Sequence, residues 1–293
     1  MKDFSGRTAF ITGGASGIGL ATAKQLARRG MNLVIADIED QALAGAEADI
    51  AAFGGDVLPL RCDVRDAGDV DRAAQSALER FGGVHVVFNN AGVVATGRVE
   101  DIAAEAWRWV LDVNLWGVIN GCRVFAPILK SQGEPSHIVN TASMAGLSSG
   151  PLMAPYFVSK FGVVALSEAL WYEAQLDGAS MGVSVLCPGF VRTRIHEAGR
   201  NRPEDVTSVT SGDAGATFMQ LLGAGVDAGK SPDDVAEIIV DAIERDRFWI
   251  LPHGAESHTT VRSRADAIVD GTSPVPINWA AWTPPGAAPA PAS

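Results

Sequence analysis

Short apolar runs alternate with longer amphipathic segments from the start of the chain. "RTAFIT" (7–12) predicts a buried strand, and "GIGLATAKQLARRG" (17–30) a helix closed by Gly30. A second strand is expected at "NLVIAD" (32–37) and a second helix at "DQALAGAEADIAAFG" (40–54). Further strands follow at "VLPLRCD" (57–63), "VHVVFNN" (84–90), "SHIVNTAS" (136–143) and "GVSVLCPG" (182–189). Helical stretches near 66–81, 103–130 and 155–178 separate them. Strands that are apolar almost throughout, rather than at alternate positions, are buried on both faces, as in a parallel sheet covered by crossover helices. The pattern predicts an α/β fold: a doubly wound parallel sheet of about seven strands in the order 3-2-1-4-5-6-7, with helices on both faces.

The rhythm changes beyond Gly189. No strand is expected over 190–225, which reads as a substrate lid punctuated by Gly199, Gly212, Gly215, Gly223 and Gly225, the spacing a mobile segment would use. "SPDDVAEIIVDAIERD" (231–246) predicts a helix with Ser231 as its cap and Pro232 in its first turn, and "RFWILP" (247–252) a closing strand. One domain is expected over 1–255, followed by an extension over 256–293. Its Pro/Ala-rich end, "TPPGAAPAPAS" (283–293), is expected to be disordered.

Composition narrows the function. The chain has 293 residues, 47% hydrophobic and 19% charged, enough for a sizeable core. A net charge of −11 with scattered Lys and Arg argues against nucleic acid and against anionic membranes. No long apolar run predicts a transmembrane helix, and Gly13 and Gly14 interrupt the N-terminus before a leader could form. Cys62, Cys122 and Cys187 form no metal or redox spacing and are expected to be small buried hydrophobes in a reducing cytoplasm. The five histidines (85, 137, 196, 253, 258) show no metal spacing either, and no metal is expected.

Three features carry chemistry. "TGGASGIG" (12–19) joins the first strand to the first helix, where glycines permit a tight turn and a pyrophosphate can approach a helix N-terminus. Asp37 ends the second strand, where a carboxylate accepts hydrogen bonds from an adenosine ribose. A 2′-phosphate there would repel it by ~1–4 kcal/mol, and neither Ser16 nor Ile38 supplies a compensating cation. NAD is therefore expected over NADP. Third, "YFVSK" sets Lys160 four residues after Tyr156 on one helix face, where a cation could stabilise a phenolate. Tyr172, the other tyrosine, has Leu176 at that spacing.

These residues resemble the short-chain dehydrogenase/reductase family, in its dehydrogenase-type branch, over about 5–195 and on to about 252. Thr12, Gly13, Gly17 and Gly19 match its TGxxxGxG loop, with Ser16 and Ile18 between them. Asp63 and Val64 match its adenine-holding pair, and "NNAG" (89–92), with Asn90, Ala91 and Gly92, its cleft-supporting motif. Asn114 in "VNLWG", Ser143, and Tyr156 with Lys160 match its catalytic set. Pro188, Gly189, Val191 and Thr193 of "PGFVRT" match the segment that contacts nicotinamide, beside Ile38 and Asp37 at the adenosine end.

The resemblance implies a Rossmann-type fold and an NAD-dependent alcohol dehydrogenase. Tyr156 is then the proton carrier, Lys160 lowers its pKa and holds the nicotinamide ribose, Ser143 polarises the substrate oxygen, and Asn114 anchors a water that links Lys160 to solvent. Ser148 and Ser149 are rivals to Ser143, which alone has the family's spacing to Tyr156. Other readings are an NADP-dependent carbonyl reductase, a non-catalytic NAD-binding regulatory protein, and an epimerase or dehydratase, whose loop usually reads TGxxGxxG. A metal-dependent dehydrogenase lacks its Cys/His ligands here. Phe190, Ile195, Phe218, Met219, Leu221 and Leu222, with Leu147 and Met153, are expected to form an apolar pocket for a bulky secondary alcohol. Family members commonly pair through the helices at 103–130 and 155–178, so a homodimer or homotetramer is expected, and Trp107, Trp109 and Trp116 are assigned to core or subunit interface.

Overall fold

The computed structural model describes residues 1–274. Seven parallel strands form one sheet in the order β3-β2-β1-β4-β5-β6-β7, the expected topology. They are β1 Thr8–Thr12, β2 Asn32–Asp37, β3 Val57–Arg61, β4 Val86–Asn89, β5 Ser136–Thr141, β6 Met181–Leu186 and β7 Trp249–Ile250. Both faces of the sheet are dry, and alternate residues go to opposite cores. Ala9 and Ile11 join Leu33 and Ile35 in one core, while Phe10 and Val34 lie in the other. Registers such as Ile11↔Ile35 and Ile11↔Phe88 keep that alternation in step across the sheet.

Helices α1 (Gly17–Ala27), α2 (Asp40–Ala51) and α8 (Pro232–Glu244) cover the first core, which takes in Leu26, Ile50, Ile239 and Ile243. The opposite face carries α3 (Ala67–Phe81), α5 (Gly117–Gln132) and α6 (Ala154–Leu176), with Phe125 tilted on Phe10 at a centroid distance of 4.5 Å. Each such fully buried side chain contributes ~1.5–3 kcal/mol. The caps agree with the chain's chemistry. Ser231 accepts a hydrogen bond from Asp233 N and Asp66 one from Gly68 N, satisfying first-turn donors of α8 and α3.

Two stretches differ from expectation. The helix predicted over 103–130 is α4 (Ala104–Leu111), one π turn (Asp112–Trp116) and α5. The extra residue in that turn is invisible to a 3.6-residue periodicity. The stretch 190–225 holds a 3₁₀ helix, Ile195–Asn201, and a full helix α7, Gly212–Asp227. Its glycines serve as contacts more than as hinges: a side chain on Gly215 would start 2.7 Å from the Thr96 carbonyl, and one on Gly225 3.0 Å from the Phe190 ring. The extension begins with α9, Ala255–Val269, and the Pro/Ala-rich end lies outside the described residues. Among the described residues, no helix is long and apolar enough to cross a membrane.

Candidate active site

Sheet order reverses between β1 and β4, which opens a crevice at the carboxyl ends of the strands. A cleft of about 1680 Å³ occupies this place. Drug-sized pockets run to ~300–1,000 Å³, so the volume suits a dinucleotide together with a second molecule.

The glycine loop is built for close approach. Gly13 (φ +61) and Gly17 (φ +51) take the left-handed backbone that glycine permits, and a side chain on Gly13 would meet the Ala91 backbone at 2.9 Å. Gly17 lies against Thr193 of the segment after β6, so the loop touches the far side of the cleft. A side chain on Gly19 would lie 2.2 Å from the Gly13 carbonyl, which explains a glycine on a packed helix turn rather than at the cleft wall. Thr12 is buried too: its hydroxyl accepts from Asn90 N (2.9 Å) and Ala91 N (3.2 Å). Asn90 Nδ2 donates to Thr12 O (3.1 Å) and Gly13 O (3.2 Å), fixing the loop against the end of β4.

At the other end, the Asp37 carboxylate accepts from Ile38 N (2.8 Å), Glu39 N (3.2 Å) and Ala15 N (3.2 Å). Burial nevertheless pushes its carboxyl above the ordinary value, since it outweighs those three donors. Asp63 is held by Arg65, whose guanidinium reaches it at 2.6 Å. Burial opposes ionisation, but the Arg65 hydrogen bonds win and keep the Asp63 carboxyl below its usual range. Ser16, Ile18, Ile38, Val64 and Gly92 line the same cleft, as do Pro188, Gly189, Val191 and Thr193.

The reacting wall comes from β5 and α6. Ser143 follows β5, and its Oγ accepts from Ala145 N (3.1 Å) and donates to Pro188 O (3.3 Å). Lys160 is 2% exposed, and its Nζ donates to Thr141 O at 2.8 Å and lies 5.5 Å from the centre of the Tyr156 ring. Burial lowers the Lys160 ammonium from its ordinary 10.5 to about 8. Tyr156 shows the opposite of the expected lowering. Desolvation pushes the phenol up, and its hydrogen bond with Ser143 pulls it partly back. Half-buried against an apolar cluster, a phenolate here loses more hydration than this environment returns. A side chain on Gly146 would strike Lys160 O at 2.6 Å, so that glycine lets the turn after β5 sit directly on α6.

Asn114 lies on the π turn and is fully buried. Its Oδ1 accepts from Val93 N (2.8 Å), and its Nδ2 donates to Val93 O (2.9 Å) and Ser159 Oγ (3.2 Å). This side chain does not line the cleft. Its amide braces the segment after "NNAG" against α6, which makes it a positioning residue. Trp109 is 3% exposed and Trp116 50% exposed, the former packed in the core and the latter on the surface.

Of the expected pocket, Met153, Phe190, Ile195, Phe218 and Leu222 line the cleft, whereas Leu147, Met219 and Leu221 do not. Leu147 packs into the core under α6. On α7 the cleft-facing positions are 218, 222, 225 and 226; Met219 packs against the cluster of Phe218 and Leu222 behind the cleft, and Leu221 lies off that stripe. Sequence patterns missed His253. Its Nδ1 accepts from Gly189 N (3.0 Å) and its Nε2 lies 3.0 Å from Phe190 O, so the neutral ring with its proton on Nε2 satisfies both partners. Nothing local marks a histidine for that task. Residues of α9, among them Ser257, Thr260 and Arg264, also border the cleft.

The family described as short chain dehydrogenase matches residues 7–204. A CLA biosynthesis dehydrogenase/reductase from Lactiplantibacillus plantarum is 34% identical over 94% of this chain and 97% of its own. The 1-deoxy-11-beta-hydroxypentalenate dehydrogenase of Streptomyces arenae is 36% identical over 84% of this chain and 82% of its own. In three dimensions, the chain is similar to a short-chain dehydrogenase/reductase from Burkholderia phymatum solved in complex with NAD. That likeness has a TM-score of 0.92 and 43% identity, and covers 94% of this chain and 99% of the other. With the glycine loop, the Ser143–Tyr156–Lys160 wall and the sheet order all in place, the chain belongs to the short-chain dehydrogenase/reductase family of oxidoreductases.

Proposed function

We propose that this protein is an NAD-dependent dehydrogenase that interconverts a bulky hydrophobic secondary alcohol and its ketone. The observation that carries this reading is the placement of Ser143, Tyr156 and Lys160 on one wall of the cleft, with the Asp37 carboxylate bordering the same space. The glycine cradle fits a dinucleotide, because side chains at Gly13 and Gly17 would close the approach to the start of α1. Bound there, the nicotinamide supplies the acceptor or donor of a hydride. The chain's own work is to hold the substrate oxygen and move its proton. Tyr156 takes the hydroxyl proton on oxidation and returns it on reduction. Ser143 steadies the same oxygen by donating its hydroxyl proton, which is otherwise directed to Pro188 O. Lys160 sets a cation beside the phenol as the proton leaves, and the Thr141 carbonyl fixes its position. Asn114 holds the segment after β4 against α6, and a water bound near it would connect Lys160 to solvent.

Preference for NAD is supported by Asp37, by the absence of a cation at Ser16 and Ile38, and by the NAD-bound relative. Met153, Phe157, Phe218 and Leu222 form an apolar cluster beside the reacting wall. Two or three such contacts at ~1.5–3 kcal/mol each favour a large apolar alcohol over a small polar one. The same reading places the protein in the cytoplasm as a homodimer or homotetramer. The test is a panel of secondary alcohols with NAD, followed by nicotinamide absorbance, on wild type and Tyr156→Phe. Loss of ~10²–10⁴-fold in kcat with cofactor binding kept is expected. Retention of more than about half the wild-type kcat would remove Tyr156 from the role assigned to it, since positioned acid–base groups are worth far more.

A further inference from the structure

Only one of the two carboxylates at the end of β2 was expected to matter. Glu39, two residues beyond Asp37, reaches across to the lid. Its Oε1 accepts from Arg200 Nε (3.0 Å) and Asn201 Nδ2 (2.8 Å), with Arg200 Nη2 at 2.8 Å from the same oxygen. Arg200 Nη1 donates to Arg194 O (3.0 Å), which closes the 3₁₀ turn on itself. Arg194 is tied to Glu197 at 2.8 Å and stands 3.9 Å from Glu39. Burial opposes ionisation of Glu39, but the bonds from Arg200 and Asn201 outweigh it and hold the carboxyl below its usual range. On the underside of the turn, Ala198 is 3% exposed and packs in one cluster with Val64, Trp109 and Val113. The 3₁₀ segment thus bridges the adenosine side of the cleft, docked on apolar residues at one edge and ion-paired at the other. Asp37, Glu39, Arg194, Arg200 and Asn201 all border the same space.

We propose that Glu39 is a second cofactor-discriminating residue, one that works by engaging Arg200 and Asn201 of the lid. While paired, the guanidinium fastens the lid beside the ribose end and is withheld from any 2′-phosphate. Once Glu39 loses its charge, the Arg200 guanidinium is released to receive one, through the bidentate geometry guanidinium offers to phosphate oxygens. The inference rests on the NAD reading above. It adds that the choice between cofactors is set jointly by Asp37 and by a carboxylate whose partner lies 161 residues away in sequence.

The experiment measures equilibrium binding of NADH and NADPH by nicotinamide fluorescence, and NADH release by stopped-flow displacement. The proteins are wild type, Glu39→Gln, Arg200→Ala and the double variant. Glu39→Gln is expected to improve NADPH binding relative to NADH by about tenfold, the scale of one charge contact near a surface. Arg200→Ala should not improve it, and the double variant should lose the gain. Both single variants should release NADH several-fold faster. A clasp that merely pins the lid would change both cofactors alike and make the two single variants equivalent, which would overturn the proposal. So would a double variant that keeps the NADPH gain. Wild-type protein that already binds NADPH more tightly would instead overturn the NAD reading, a result separable from an unchanged ratio in Glu39→Gln.

Discussion

Lys160→Met removes a buried ammonium and keeps most of its volume. Its folded-state value near 8 lies below the ordinary 10.5. The folded chain therefore binds this proton less readily than the unfolded chain, and stability rises with pH wherever the unfolded state is the more protonated. The window is about pH 8 to 10.5, set by those two values. At pH 7 the charge costs the fold ~3 kcal/mol, and by pH 10 less than ~1 kcal/mol, from a shift of about 2.5 units at ~1.4 kcal/mol each. The hydrogen bond to Thr141 O (2.8 Å) is lost in the variant, which adds a penalty of ~1–3 kcal/mol at either pH for the carbonyl left unpaired. That penalty and the titrations independent of Lys160 cancel when the wild-type-minus-variant difference is compared between the two pH values. Urea unfolding at pH 7 and pH 10 should show wild type gaining ~2 kcal/mol more than Lys160→Met over the interval. A difference under ~0.5 kcal/mol would mean that the ammonium is better solvated than its burial indicates, and the reasoning would fail.

Asp37→Ala should narrow the preference for NAD over NADP by about tenfold, read as the ratio of kcat/KM for the two cofactors; an unchanged ratio would free Asp37 of that role. His253→Phe should raise the cofactor KM and lower kcat together, because Gly189 N and Phe190 O lose their common partner, whereas His253→Gln should restore part of both. Equal kinetics for the two variants would reduce His253 to a packing residue. Phe218→Ala should raise KM for a bulky aryl alcohol by about tenfold or more and leave 2-propanol little changed, as the loss of one buried aromatic contact implies; equal effects would exclude apolar selection by α7. Light scattering should give a dimer or tetramer at micromolar concentration, and a monomer would contradict the assembly.

Most of the sheet was readable because its information is local. An apolar run such as "NLVIAD" needs no partner to declare itself buried on both faces, and it became β2 with its four central residues buried. Tyr156 and Lys160 were readable for the same reason, since four positions on a helix are neighbours whatever the rest of the chain does. The π turn at Asp112–Trp116 was not, because one added residue leaves the apolar pattern nearly unchanged. Leu147, Met219 and Leu221 were placed in the pocket by composition, but helix rotation and core packing decide where a side chain points. The raised Tyr156 phenol was hidden as well. A motif shows which charge is near, while the opposing desolvation depends on residues packed from several elements.

What escaped most completely are the long-range stitches around the cleft. Gly17 rests on Thr193, His253 ties down Gly189 and Phe190, and Arg200 grips Glu39. Each joins a residue of the cleft to a partner after β5 or beyond, and neither partner carries a pattern that names the other. Their physical effect is nonetheless specific. Ser143, Tyr156 and Lys160 sit on β5 and α6, held by buried bonds such as those of Asn89 to Asn140 (2.8 Å) and Asn140 to Ser167 (3.1 Å). The 3₁₀ segment and the stretch after β6 also rest on buried apolar residues such as Ala198 and Val191, but their links across the cleft include polar contacts at partly exposed positions, each of which is weaker and adjustable. Substitution at those contacts can therefore change which molecule is held, and for how long, while the proton-transfer wall stays fixed. That division explains why the family is legible in a few motif residues, whereas on the proposed reading cofactor choice and substrate depend also on contacts made across the cleft.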